Sequence, residues 1–359
     1  MKINAAKRWN IRMLSWPYWA FAFAVVIFSF LKIGFTIRPL NPDPLSTFPT
    51  PQPTWSALSY GMRTLTWIGG WEDPNAYTLL SVVITVTSII AIIYFSKAFM
   101  SGEDSRIAIL LLLTSPIAVV LYNNQGRHDA LMILGSILLG FLGRKTWLAA
   151  IAAAVMIAAN PEQALLSTGI LLVCSFTPTF QAWRRGALVA LVMSTVSFLA
   201  LSIWAQASGV GSRLTYIRSL FGDSIYGFFS NFSLSIYAGF GILWVLVAYL
   251  LVHQNRKQKM LTLIALAVIP FAITMTTLDQ TRVFVGVTAA TLVALVLQLT
   301  PLIRAELHAS GHPNVIFWTF IAVVLLPSFE VSVDHVVRPP FAWFFSEVLP
   351  HIQQAIGLS

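Results

Sequence analysis

Apolar runs about as long as a bilayer is thick recur along almost the whole chain, separated by short polar turns. A helix of about 20 apolar residues, roughly 17–25, crosses the hydrocarbon core. Only 10% of the 359 residues are charged and 57% are hydrophobic, against about 25% charged in a soluble domain. Such a chain cannot clothe itself in a water-compatible surface, so its solvent is largely lipid. No polar stretch is long enough to form a separate soluble domain, and the sequence reads as a single transmembrane domain over 1–359.

Eleven segments are candidate spans, near 17–36, 77–98, 106–122, 129–143, 146–160, 162–180, 187–207, 233–252, 260–277, 283–300 and 315–329, the fourth and fifth of them short. The expected fold is an all-α, polytopic helical bundle. Lys2, Lys7, Arg8 and Arg12 precede the first run, which is too long for a signal peptide and lacks a cleavage pattern, so it reads as an uncleaved helix. With the N-terminus in the cytoplasm, 14 of the 22 Lys and Arg fall in inner segments, as the positive-inside bias requires. The net charge of +9 is thereby explained by topology, and no nucleic-acid partner is expected. The same count places the C-terminus outside, in an inner or plasma membrane. The lone Cys174 excludes an internal disulfide and a cysteine-based metal site.

The inner turns are plain, whereas the outer segments are rich. Residues 37–76 hold NPDPLSTFPTPQPTW and WIGGWEDPN, and residues 208–232 form a second outer loop. The tail 330–359 reads as a helix lying at the membrane surface. Shorter outer turns read NNQGRHD, NPEQ and TTLDQTR. No P-loop and no dinucleotide glycine pattern is present, which argues against a nucleotide-driven pump.

Ionisable groups gather at this outer rim, where they are expensive and often functional. Arg127, His128 and Asp129 are consecutive at one span start, Asn160 and Glu162 open another, and Asp279 and Arg282 a third. Asp43, Glu72 and Asp73 lie in the first outer segment, and Arg213, Arg218 and Asp223 in the long loop. Carboxylates beside arginines suit a general base next to an anion site, because the guanidinium fork matches phosphate. The plainer reading is helix capping. Asn160-Pro161-Glu162-Gln163 is a strong helix start, and Asp129 and Asp279 fit N-cap positions. His128 has no second histidine at ligand spacing, so no metal is expected.

The order of these features resembles the GT-C superfamily of membrane glycosyltransferases. An acid, Asp43 in RPLNPDPLS, follows the first span. The stretch GRHDALMILGSILLGFLGRKTWLAAIAAAVMIAANPEQALL is similar to the family's two short spans between polar helix starts. The late outer arginine of TLDQTRVF suits a donor phosphate. The resemblance implies an inverting transferase on the outer face, without a cofactor, moving sugar from a polyprenyl-phosphate donor to a lipid-linked or cell-envelope glycan acceptor. It implies Asp43 as base, with Asp129 and Asp73 next, and Arg282, Arg127 and His128 on the phosphate. Glu162, Asp279, Arg213 and Arg218 are further candidates.

Two rival readings remain. A lipid-linked polysaccharide polymerase or ligase also places acids and arginines outside, but usually with a larger late loop. A transporter or flippase for an anionic or lipid-linked substrate would carry charges in mid-span and internal repeats. Neither is evident here.

Overall fold

A computed structural model of the chain describes residues 15–37, 61–69, 74–209, 213–332, 335–336 and 341–355. Among the described residues the fold is all-α but for one two-stranded hairpin. In chain order the helices are α1 (Tyr18–Ile33), α2 (Gly61–Ile68), α3 (Pro74–Phe99), α4 (Gly102–Leu113), α5 (Pro116–Asn123), α6 (Asp129–Leu142), α7 (Thr146–Ala159) and α8 (Pro161–Cys174). A 3-10 turn, Pro178–Trp183, leads into α9 (Arg184–Ala207), and α10 (Arg213–Ser230), α11 (Phe232–Phe240) and α12 (Trp244–His253) follow. Then come α13 (Arg256–Leu263), a π-turn at Ile264–Val268, α14 (Ile269–Thr274), α15 (Gln280–Ala309) and α16 (Val315–Leu325). Strands β1 (Val331–Ser332) and β2 (His335–Val336) pair antiparallel, and a π-turn over Phe344–Val348 opens α17 (Leu349–Ala355).

Every one of the eleven apolar segments is occupied by helix. Five continuous helical stretches are long and apolar enough to cross a membrane: Pro74–Phe99, Pro178–Ala207, Phe232–His253, Arg256–Thr274 and Gln280–Ala309. The pair α4 and α5, bent by 51°, makes a sixth if it is one span. The bend follows from Pro116, which cannot continue the ladder of α4, and from Ser115, whose Oγ accepts the Ile117 N–H at 3.2 Å and restarts a helix. The helices α1, α6, α7, α8 and α16 are apolar but have only 11–16 residues. These elements fit a multi-pass membrane protein.

Helix α3 shows why lipid is the solvent. Its exposed stripe is Leu79, Val83, Val86, Ile90 and Tyr94, while Ser81, Thr85, Ser88 and Ser96 are buried. This is the reverse of a soluble helix, which turns its polar face outward. Buried small residues permit close helix approach where no hydrophobic effect drives association.

Helix α15 is the axis of the bundle, and the most apolar stretch of it is 89% buried. It packs against α4, α6, α8 and α14, and is apolar on all sides because protein surrounds it. Gly140 lets α6 approach it: a Cβ at that position would lie 2.5 Å from Val293 Cβ. Near the end of α15, Arg304 forks onto Asp104 at the start of α4, at 2.5 and 3.1 Å. Lys32 at the end of α1 is buried, and its ammonium donates to the carbonyls of Val323 and, at 2.7 Å, Leu326. It thus satisfies the C-terminal carbonyls of α16, which have no helical partner.

Candidate functional site

Four helices, α3, α6, α8 and α15, begin at one end of the bundle. The N–H groups of their first turns have no partner within the helix ladder and add partial positive charge there. The loop before α6 is fixed first. Gln125 is fully buried and its amide donates to Thr85 Oγ1 at 2.8 Å and to the carbonyl of Leu121. Gly126 then turns the chain at φ +92°, a left-handed conformation open to glycine. That turn delivers Arg127, His128 and Asp129 to the head of α6.

Asp129 and Arg282 meet across α6 and α15. Arg282 Nε stands 3.6 Å from Asp129 Oδ1, and Arg282 Nη2 stands 2.6 Å from Asp279 Oδ2. Arg127 Nη1 approaches the same Asp279 oxygen at 3.8 Å. The Asp129 side chain is 4% exposed and that of Arg282 11%. The carboxylate lies in the field of Arg282, His128 and Arg127 together. Its Oδ2 is buried and has no hydrogen-bond partner among the described residues.

The capping question resolves residue by residue. Asn160 is a cap: its Oδ1 accepts the Gln163 N–H at 3.1 Å. Glu162 is the second residue of α8, half-buried, and not the cap. Asp279 occupies the N-cap position of α15 but makes no capping hydrogen bond, and turns to Arg282 instead. Asp129 is the first residue of α6, after His128 in the N-cap position.

Two buried residues join the cluster that motif reading had not singled out. Arg63 on α2 is 2% exposed and Tyr77 near the start of α3 is 1% exposed. The Tyr77 hydroxyl lies within electrostatic reach of both Arg63 and Asp129. Helix α2 packs on α3 and α7, seated where Gly61 abuts Ala158. One signal was available: Arg63 is the lone cation between Arg38 and Lys97. Glu330 is also fully buried, and the N–H of the next residue, Val331, donates to Thr281 Oγ1 at 2.8 Å, beside Arg282.

Arg218 and Asp223 are not brought into this cluster. Both are exposed on α10, and Arg213 starts that helix, its side chain outside the description. Asp43, Glu72 and Asp73 lie outside the described residues. The chain leading toward Asp43 is nonetheless anchored at the site. Thr36 N–H donates to the Tyr122 carbonyl at 3.1 Å, and Ile37 bridges to Gln125. Among the described residues no group of three His, Cys, Asp or Glu is placed to hold a metal ion.

Chemically, the cluster offers guanidinium groups for an anion and one buried carboxylate oxygen for a hydroxyl. Compared with protein-family models, curated proteins and solved structures, the chain matches none.

Proposed function

We propose that this protein is an inverting glycosyltransferase of the outer membrane face, taking sugar from a polyprenyl-phosphate donor for a lipid-linked or cell-envelope glycan acceptor. The observation that carries the reading is Asp129: a buried carboxylate facing an arginine of α15, with a second buried oxygen that has no hydrogen-bond partner among the described residues. The proposal includes eleven crossings, with the starts of α6, α8 and α15 outside.

In this mechanism Arg282 and Arg127, with His128, bind the donor phosphate at the head of α15, where helix N–H groups favour an anion. The acceptor hydroxyl hydrogen-bonds to Asp129 Oδ2. Its oxygen attacks the anomeric carbon as the bond from that carbon to the phosphate oxygen breaks. The proton passes to Asp129 and the bonding pair leaves with the phosphate, whose growing charge the arginines stabilise. A single displacement inverts the anomeric configuration. Asp279 orients Arg282, and Tyr77 and Arg63 close the site on the α2 side.

The test is donor binding by purified protein, with a polyprenyl-phosphate sugar as the probe. Arg282→Lys keeps the charge but not the fork and is expected to weaken donor binding noticeably, and Arg282→Ala to cost on the order of 1.5–3 kcal/mol of affinity. The melting temperature without donor is expected to move little. Unchanged donor affinity together with lowered stability of the free protein makes Arg282 a structural anchor and ends this reading.

A further inference from the structure

A second feature lies at the other end of α15, 22 residues from Arg282, which is about 33 Å along a helix. Here α4, α12, α15 and α16 do not close on one another and leave a cavity of about 350 Å³. Its walls are apolar, including Leu111, Leu246 and Ala322, and its only charged-type lining residues are Arg304 and His312. Thr300 also lines it. That side chain is 3% exposed, and its hydroxyl has no hydrogen-bond partner among the described residues.

We propose that this groove binds one glycerophospholipid with an anionic headgroup. Three observations support that occupant. Both titratable lining groups are basic, which complements a phosphate. Asp104 takes two of the five guanidinium donors of Arg304 and leaves three. The neighbouring acids have other partners as well: Glu103, which lies in the field of Arg304, also faces His308 at 3.5 Å, and Glu306 accepts from Tyr249 at 2.7 Å and faces His253 at 3.7 Å.

The vertical order of the groups completes the argument. Thr300 lies four residues before Arg304 on the same helix, hence about 6 Å deeper along its axis. A phospholipid carries its phosphate at the interface, its ester carbonyls just below, and its chains deeper still. Arg304 and His312 meet the phosphate, the Thr300 hydroxyl donates to an ester carbonyl, and an acyl chain lies along the apolar wall. This binding is independent of the transfer chemistry at the opposite end.

Native mass spectrometry of the purified protein, offered phosphatidylglycerol and phosphatidylcholine with identical chains, tests the proposal. The expected result is one retained phosphatidylglycerol, preferred about five-fold or more, because the choline cation of phosphatidylcholine offsets its phosphate charge and is repelled by Arg304. Ala322→Trp fills the groove and removes the adduct. Thr300→Val and His312→Ala each weaken it several-fold while leaving the lipid-free melting temperature near the parental value. Equal retention of the two lipids, or an undiminished adduct in folded Ala322→Trp, overturns the proposal. If Ala322→Trp does not fold, undiminished binding in both Thr300→Val and His312→Ala overturns it.

Discussion

Asp129 and Arg282, 153 positions apart in the chain, face each other at 3.6 Å with both side chains almost fully enclosed. Breaking a buried pair leaves a charge uncompensated, at about 3–5 kcal/mol. Here Asp279 still holds the guanidinium at 2.6 Å. Asp129→Asn is therefore expected to cost less, about 1–3 kcal/mol, as the buried guanidinium loses one of its two carboxylate partners. In a double-mutant cycle with Arg282→Gln, unfolding in detergent should reveal a coupling on the order of 1 kcal/mol or more. Additive effects would mean that the two groups do not interact.

The choice of base is testable with two conservative variants. If Asp129 takes the proton, Asp129→Asn lowers kcat by roughly 100-fold or more, and Asp43→Asn leaves kcat within a few-fold of the parent. The opposite pattern gives the role to Asp43, the acid implied by the GT-C resemblance.

Lys32 seals the end of α16 through the carbonyls of Val323 and Leu326. Lys32→Met keeps the apolar stem and removes the donors. Bonds to a charged donor are worth about 1.5–3 kcal/mol, and lipid offers the carbonyls no replacement. A drop in melting temperature is expected, with faster hydrogen exchange confined to the end of α16. An unaltered melting temperature would show that Lys32 contributes nothing to holding that end.

At Gly140 a methyl group would meet Val293 Cβ at 2.5 Å and the Ala290 carbonyl at 2.8 Å. Gly140→Ala should force α6 away from α15 and cost about 1–3 kcal/mol, the range for overpacking. Unfolding by a denaturing detergent measures it. Because α6 carries Asp129, donor binding should weaken as well, and Gly222→Ala, whose added methyl meets nothing within 4 Å, serves as the control.

The sidedness is open to cysteine labelling, since Cys174 is buried and gives little background. A membrane-impermeant maleimide added outside is expected to label Ser208→Cys and to miss Ser101→Cys, both of which are exposed positions. The reverse pattern turns the bundle over and moves the Asp129 cluster to the cytoplasmic face.

The sequence by itself determined the helices, because lipid imposes a length and an apolarity that any reader of the chain can check. It also determined several helix starts: Asn160 before Pro161 caps α8 as local chemistry requires, and Asp279 pairs with Arg282 because residues three apart share a helical face. The two short segments 129–143 and 146–160 are helices of 14 residues each. Tertiary structure alone decided the company these residues keep. Nothing local links Asp129 to Arg282, or Tyr77 to Arg63, since those approaches depend on how α2, α3, α6 and α15 pack. The fate of Lys32 was decided the same way: a cation beside a span end looks like an interfacial anchor until the carbonyls of α16 come within its reach. Helix periodicity fixes which residues share a face, but only packing fixes what that face meets.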